Sequence, residues 1–188
     1  FTTRPIATRG STAPERFSRL FNSATPFAGA LDELSRTDQR ERVADVLLNV
    51  TEPYFRRRLL IAARKQRLIG WRGEGSGLVP LRVHALNFAP QSSPIFLAID
   101  NGSPFWLGTL VENEQHSKIV ATFGGEWPTD CVVLPIRVRD RTIAYFYADN
   151  QDGSVAGAPI SELQPVMSAA SVGLMRFIQE RRVRRASF

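Results

Sequence analysis

Residues 131–150 read CVVLPIRVRDRTIAYFYADN. Two apolar runs, CVVLPIRV and TIAYFYAD, flank a turn at Arg139-Asp140-Arg141. Runs of β-branched and aromatic residues on both sides of a polar turn form an antiparallel hairpin. In the return strand Ile143, Tyr145 and Tyr147 alternate with Ala144, Phe146 and Ala148, so neither face is polar. A strand with two apolar faces needs a layer of structure on each side of its sheet. Pro135 has no N–H to give a ladder, so its amide position faces a sheet edge or an irregularity.

On the C-terminal side, Ile160, Leu163, Val166, Met167, Ala170, Leu174, Phe177 and Ile178 recur at helical spacing and predict a long last helix. Its final turns are rich in arginine, which suits the negative end of a helix. On the N-terminal side, Thr25-Pro26 opens a short helix carrying Leu31 and Leu34. Asp38 with Glu41 forms a capping-box-like start for a second, whose apolar face is Val43, Val46, Leu47 and Val50 and which Pro53 ends near Thr51. Arg58 to Ala63 and Arg67 to Arg72 predict another hairpin, turning at Lys65-Gln66. The glycines of GWRGEGSG (70–77) predict a loop after it. Ser93-Pro94 opens a small helix, IFLAI, closed by Asp100-Asn101-Gly102. PFWLGTL predicts a brief strand, and Glu112 to Phe123 a helix with Ile119, Val120 and Phe123 inward. Helices against an antiparallel sheet make an α+β domain.

A chain of 188 residues with 43% hydrophobic and 22% charged residues suits one globular domain with tails. One cysteine excludes an intrachain disulfide. No run reaches 18 apolar residues, and the first residues have no secretory-signal pattern. The net charge of +6 is carried by 22 Arg and 2 Lys. Arg56, Arg57, Arg58, Arg64, Lys65, Arg67 and Arg72 form a stretch without an acid, and Arg181, Arg182, Arg184 and Arg185 crowd the end. Such clusters attract phosphates or acidic surfaces, or form a solvated face. No nucleic-acid motif accompanies them.

Catalytic chemistry needs converging acids, bases, nucleophiles or metal ligands. His84 and His116 belong to no HExxH pair or Cys/His cluster, which argues against a zinc site. His116 lies in the polar segment ENEQHSK, where exposure to solvent is expected. Cys131, beside Val132 and Val133, reads as a small buried hydrophobe; a nucleophilic thiol would need a base brought to it in space. GWRGEGSG is neither a GxxxxGK[ST] loop nor a strand-to-helix GxGxxG. Glu74, Glu126, Asp130 and Asp149 show no paired-carboxylate spacing. Trp71, Trp106 and Trp127 fall near strand ends, so with Arg72 they either line one cleft or plug separate edges of the core.

The helix DQRERVADVLLNV (38–50), the hairpin LLIAARKQRLIGWRG (59–73) and the segment 131–150 before a long helix resemble a GAF domain over roughly residues 27 to 182. The resemblance implies a central antiparallel sheet with the N- and C-terminal helices on one side and short helices on the other. It divides the chain into a lead-in at 1–24, the domain at 25–182 and a basic tail at 183–188. It implies a non-catalytic sensory or regulatory domain of a cytoplasmic signalling protein, with an output domain elsewhere in a longer chain or on a partner. The NKxnFxxxDE signature of cyclic-nucleotide binding is not found, and Cys131 has no following histidine as a bilin-attachment cysteine would. The ligand therefore stays open and no cofactor is named; the pocket positions carried over are Trp71, Arg72, Trp106 and Cys131, with Trp127 beside them. Three readings fit. One is a small-molecule sensor. Another is a ligand-free homodimerisation domain joined through Val43, Leu47, Val50, Met167, Leu174, Phe177 and Ile178. The third is a module binding nucleic acid or an acidic surface, which requires the arginine clusters to converge.

Overall fold

A computed structural model describes residues 26–186, so the lead-in and the Thr25 cap lie outside the described residues. Helices α1 (Pro26–Arg36) and α2 (Arg40–Thr51) precede a hairpin of β1 (Arg57–Arg64) and β2 (Arg67–Gly75). Then come α3 (Pro80–Ala85), β3 (Asn87–Phe88), α4 (Pro94–Asp100), β4 (Trp106–Gly108) and α5 (Glu114–Ala121). The second hairpin, β5 (Cys131–Val138) and β6 (Arg141–Asp149), leads to α6 (Ile160–Ala186). The strands form one six-stranded antiparallel sheet in the order β3-β2-β1-β6-β5-β4. The two hairpins thus meet through β1 and β6, with Leu60 opposite Phe146 and Leu59 opposite Tyr147.

Successive residues of a strand face opposite sides of its sheet. Leu60, Leu134, Phe146 and Ala148 pack with Leu34, Val43, Leu47, Leu163, Val166 and Leu174 of α1, α2 and α6. Leu59, Ile61, Val133, Tyr145 and Tyr147 pack with Val83, Phe96, Ile99, Ile119 and Phe123 on the short-helix side. The terminal helices and the short helices therefore take opposite faces, as the resemblance implied. Pro135 sits where β4, which pairs only Cys131 to Val133, no longer covers the outer side of β5, next to an irregularity at Ile136/Arg137.

The glycine-rich segment departs from the expected loop. β2 continues to Gly75, opposite Arg57, because the segment still finds ladder partners on β1. Gly70 lies directly beneath α3: a Cβ there would stand 1.9 Å from the Val83 carbonyl oxygen, so only glycine admits the crossing. A bulge between Leu60 and Ile61 adds one residue to β2, opposite which Trp71 has no partner. The capping box does not form either. Gln39 caps α2 without a side-chain bond, and its own N–H donates to the Thr37 hydroxyl at 3.3 Å. Residues 183–186 of the basic tail continue α6.

Candidate functional site

The expected pocket lies between the sheet and α3–α5, and aromatic side chains occupy it. Phe88, Phe96, Phe123, Tyr145 and Tyr147 are all buried there, and Phe96 meets Tyr145 edge-on at 4.9 Å between centroids. The three tryptophans do not converge. Trp71 packs on the side of the terminal helices with the Arg40 guanidinium 4.6 Å above its ring, whereas Trp106 and Trp127 pack on the short-helix side. Arg72 also turns to the terminal helices, 2.7 Å from Asp45 of α2. Cys131 is buried on the short-helix side, opposite Asp149 in the ladder.

Polar side chains tie this layer together. Arg57, fully buried, donates from Nη1 to the Glu126 carbonyl at 2.7 Å and from Nη2 to its carboxylate at 3.3 Å. Its Nε lies 3.7 Å from Asp149, an ion pair without a hydrogen bond. Asp149 also accepts from the Tyr147 hydroxyl at 2.7 Å and the Gln151 N–H at 2.8 Å. Burial pushes the Asp149 carboxyl above the usual carboxylate range, and these partners only partly oppose that. Burial likewise raises the Cys131 thiol far above its ordinary value, with Asp149 and Asp130 adding to the effect. Cys131 stays a thiol, inert as a nucleophile.

Helix α4 is pinned at both ends. The Tyr145 hydroxyl donates to Asp100 at 2.5 Å, and Arg137 Nη2 donates to the Ile99 and Ser103 carbonyls at 2.6 and 3.0 Å. At its start, Ser93 meets His116 Nε2 at 2.7 Å. His116 Nδ1 lies 2.6 Å from the Val111 carbonyl, which can only accept, so Nδ1 carries the proton and Ser93 donates to Nε2. Against expectation His116 is completely buried: it stands in the first turn of α5, where Asn113 caps its N–H at 2.8 Å and turns the ring inward. Burial lowers its pKa and keeps it neutral, the Val111 bond opposing this weakly. A serine on a histidine has the composition of a nucleophile and base. Both groups are sealed, and the histidine's second nitrogen is spent on a main-chain carbonyl, so the pair positions helices and meets no substrate.

Nothing in the sequence marked Ser93 and His116 as partners except their places at two helix starts. The run Arg56–Arg72 also splits on folding. Arg56 pairs with Asp152 at 3.4 Å, Arg58 is buried against the Phe55 carbonyl and Glu74, and Arg72 takes Asp45. Of the expected interface residues, Val43, Leu47, Met167 and Leu174 are consumed by the chain's own core. Val50 and Phe177 are half-buried and Ile178 is exposed. Three buried side-chain donors find no hydrogen-bond acceptor among the described residues: Arg57 Nε and Arg58 Nε, whose guanidinium groups bond through their other nitrogens, and the Trp106 indole Nε1, which has no other polar atom.

This arrangement of sheet, terminal helices and short helices is the GAF fold. The chain is similar to the GAF domain of an Acinetobacter phosphoenolpyruvate-protein phosphotransferase at 12% identity and TM-score 0.64, over 84% of this chain and 95% of that one. It is similar to a phycocyanobilin-bound GAF domain from a cyanobacterial phytochrome at 11% identity and TM-score 0.63, over 82% and 96%. The second GAF domain of DevS from Mycobacterium smegmatis matches at 16% identity and TM-score 0.58, over 77% and 99%. No family model matches the sequence, and no curated protein does.

Proposed function

We propose that this chain is a non-catalytic regulatory domain of a cytoplasmic signalling protein. On this reading it associates with a second copy through the outward faces of its terminal helices and passes its state along α6 to an output domain elsewhere. The observation that carries the reading is the contrast along α6. Its buried residues end at Leu174, while every side chain from Ile178 to Arg184 is exposed, and Val172 and Ile178 add exposed apolar surface on two different sides of the helix. The filled layer under α3–α5 supports a domain that acts through its surfaces. Sedimentation equilibrium of the full chain tests it. Twice the chain mass is expected at micromolar concentration, falling to one chain mass in Val172→Glu/Ile178→Glu with unchanged circular dichroism. A wild-type monomer up to about 100 μM, where specific homodimers are formed, would overturn it.

The orphaned Trp106 donor favours a second reading, in which a small ligand supplies its acceptor at the β4 edge of the layer. A buried unpaired N–H costs about 1–3 kcal/mol, which an acceptor would recover. Native mass spectrometry of the chain purified without denaturation reports a retained ligand directly; bare chain mass alone would sink this reading.

A further inference from the structure

β1 and β6 are neighbours, so the turn at Lys65-Gln66 and the turn at Arg139-Asp140 come side by side at one end of the sheet. Between them lies a groove of about 470 Å³, bounded on its third side by Pro90-Gln91 and the end of α4. Six cations line it, Arg64, Lys65, Arg67, Arg137, Arg139 and Arg141, against two carboxylates, Asp100 and Asp140. Arg137 is committed to the Ile99 and Ser103 carbonyls, and among the described residues the Arg67 side chain bonds only the neutral Asn87 amide oxygen at 2.7 Å. Arg64, Lys65, Arg139 and Arg141 make no ion pair among the described residues. This differs from Arg56, Arg57, Arg58 and Arg72, each of which has a carboxylate.

The turns themselves carry a second sign. Lys65, Gln66 and Arg139 hold φ of 45°, 62° and 54°, the left-handed region where hairpins favour asparagine and glycine. Side chains are kept at positions where glycine would fold more easily, and two of the three are cationic. Unpaired like charges around one recess repel each other, and a bound anion removes that repulsion.

We propose that this groove binds a small metabolite bearing two or more phosphate groups on a body with hydroxyl or amino donors. The cations on two facing turns take the phosphates from both sides. Asp100, Asp140 and Gln66 offer acceptors for the donors of the body, and Leu68 and Pro90 supply an apolar floor. The volume lies in the range of small-molecule sites. The concave shape favours such a ligand over a lipid surface, which would touch only the rim.

Calorimetric titration of the full chain with inorganic orthophosphate, pyrophosphate and triphosphate at low salt reads this out. One triphosphate per chain is expected, bound about tenfold or more tightly than orthophosphate and weakened by raising the salt. Arg64→Ala/Arg141→Ala should lower the affinity about tenfold or more, a loss that matches the usual strength of charged contacts. Arg182→Ala/Arg184→Ala, on the exposed part of α6, should leave it unchanged, with unchanged circular dichroism in both variants. Equal losses in the two variants, several weak sites per chain, or no triphosphate binding would overturn the proposal. So would tighter binding to phosphatidylserine vesicles than to triphosphate, which would assign the groove to a membrane surface. The oligomeric state does not enter this readout, so failure here leaves the dimer reading standing, and the reverse.

Discussion

The two faces of the sheet are held by different means. Against α1, α2 and α6 a large apolar cluster carries the packing, with Arg58 buried beside it and the Arg72–Asp45 pair at its rim, and α6 alone runs for 27 residues. Helices with an apolar stripe of several turns bury enough area to be fixed by burial. On the other face α3, α4 and α5 have only 6, 7 and 8 residues. Helices that short are marginal by themselves. Ser93–His116, Tyr145–Asp100, Arg137 and the Arg57–Asp149 pair supply the positional control that length does not. One face is fixed mainly by area, while the other adds individual buried bonds to its apolar packing.

The largest single loss is expected from breaking a buried charge pair. Arg57→Met leaves Asp149 without its cation and should cost about 3–5 kcal/mol in urea unfolding. Arg57→Met/Asp149→Asn should recover much of it, and a double variant as weak as the single one would refute the pairing. On the opposite face, Leu47→Ala should cost about 2–5 kcal/mol through an apolar cavity. Its cost should be the same at pH 5 and pH 7.5, since Leu47 packs in an apolar cluster; a pH-dependent cost would break the distinction between the faces.

The smallest effect depends on pH. Burial lowers the folded-state pKa of His116 beneath its ordinary 6.5. The unfolded chain therefore takes the proton first, and stability falls as pH drops below about 6.5, approaching about 1.4 kcal/mol per pH unit until the folded-state pKa is reached. His116→Gln should be less stable than wild type at pH 7.5 and show a flatter decline towards pH 5. Parallel pH curves for the two proteins would remove His116 from this role.

Local patterns carried the fold further than they carried the site. Both hairpins, the short helix after Ser93 and the long last helix follow from spacing and turn residues within a dozen positions. What escaped depends on contacts between distant segments. β2 persists through Gly73 and Gly75 because β1 pairs with it. Gly70 reads as a breaker until α3 lies across it. His116 sits among polar neighbours in sequence, and only the cap at Asn113 and the serine on another helix turn it inward. The tryptophans separate because the bulge opposite Leu60 and Ile61 sets Trp71 towards α2 and α6, away from Trp106 and Trp127. The same pairing of β1 with β6 that completes the sheet joins two basic turns that no linear reading connects.

Pro135 has a consequence for how the protein behaves in concentrated solution. β4 covers three residues of β5, so among the described residues the rest of that border has no strand partner, and unpaired borders are the surfaces on which chains nucleate aggregates. A proline placed there withholds a donor from any incoming strand. The border is left short for the fold yet made a poor template for growth. Pro135→Val would restore the donor, and its cost would be read in shelf life and turbidity rather than in the melting temperature.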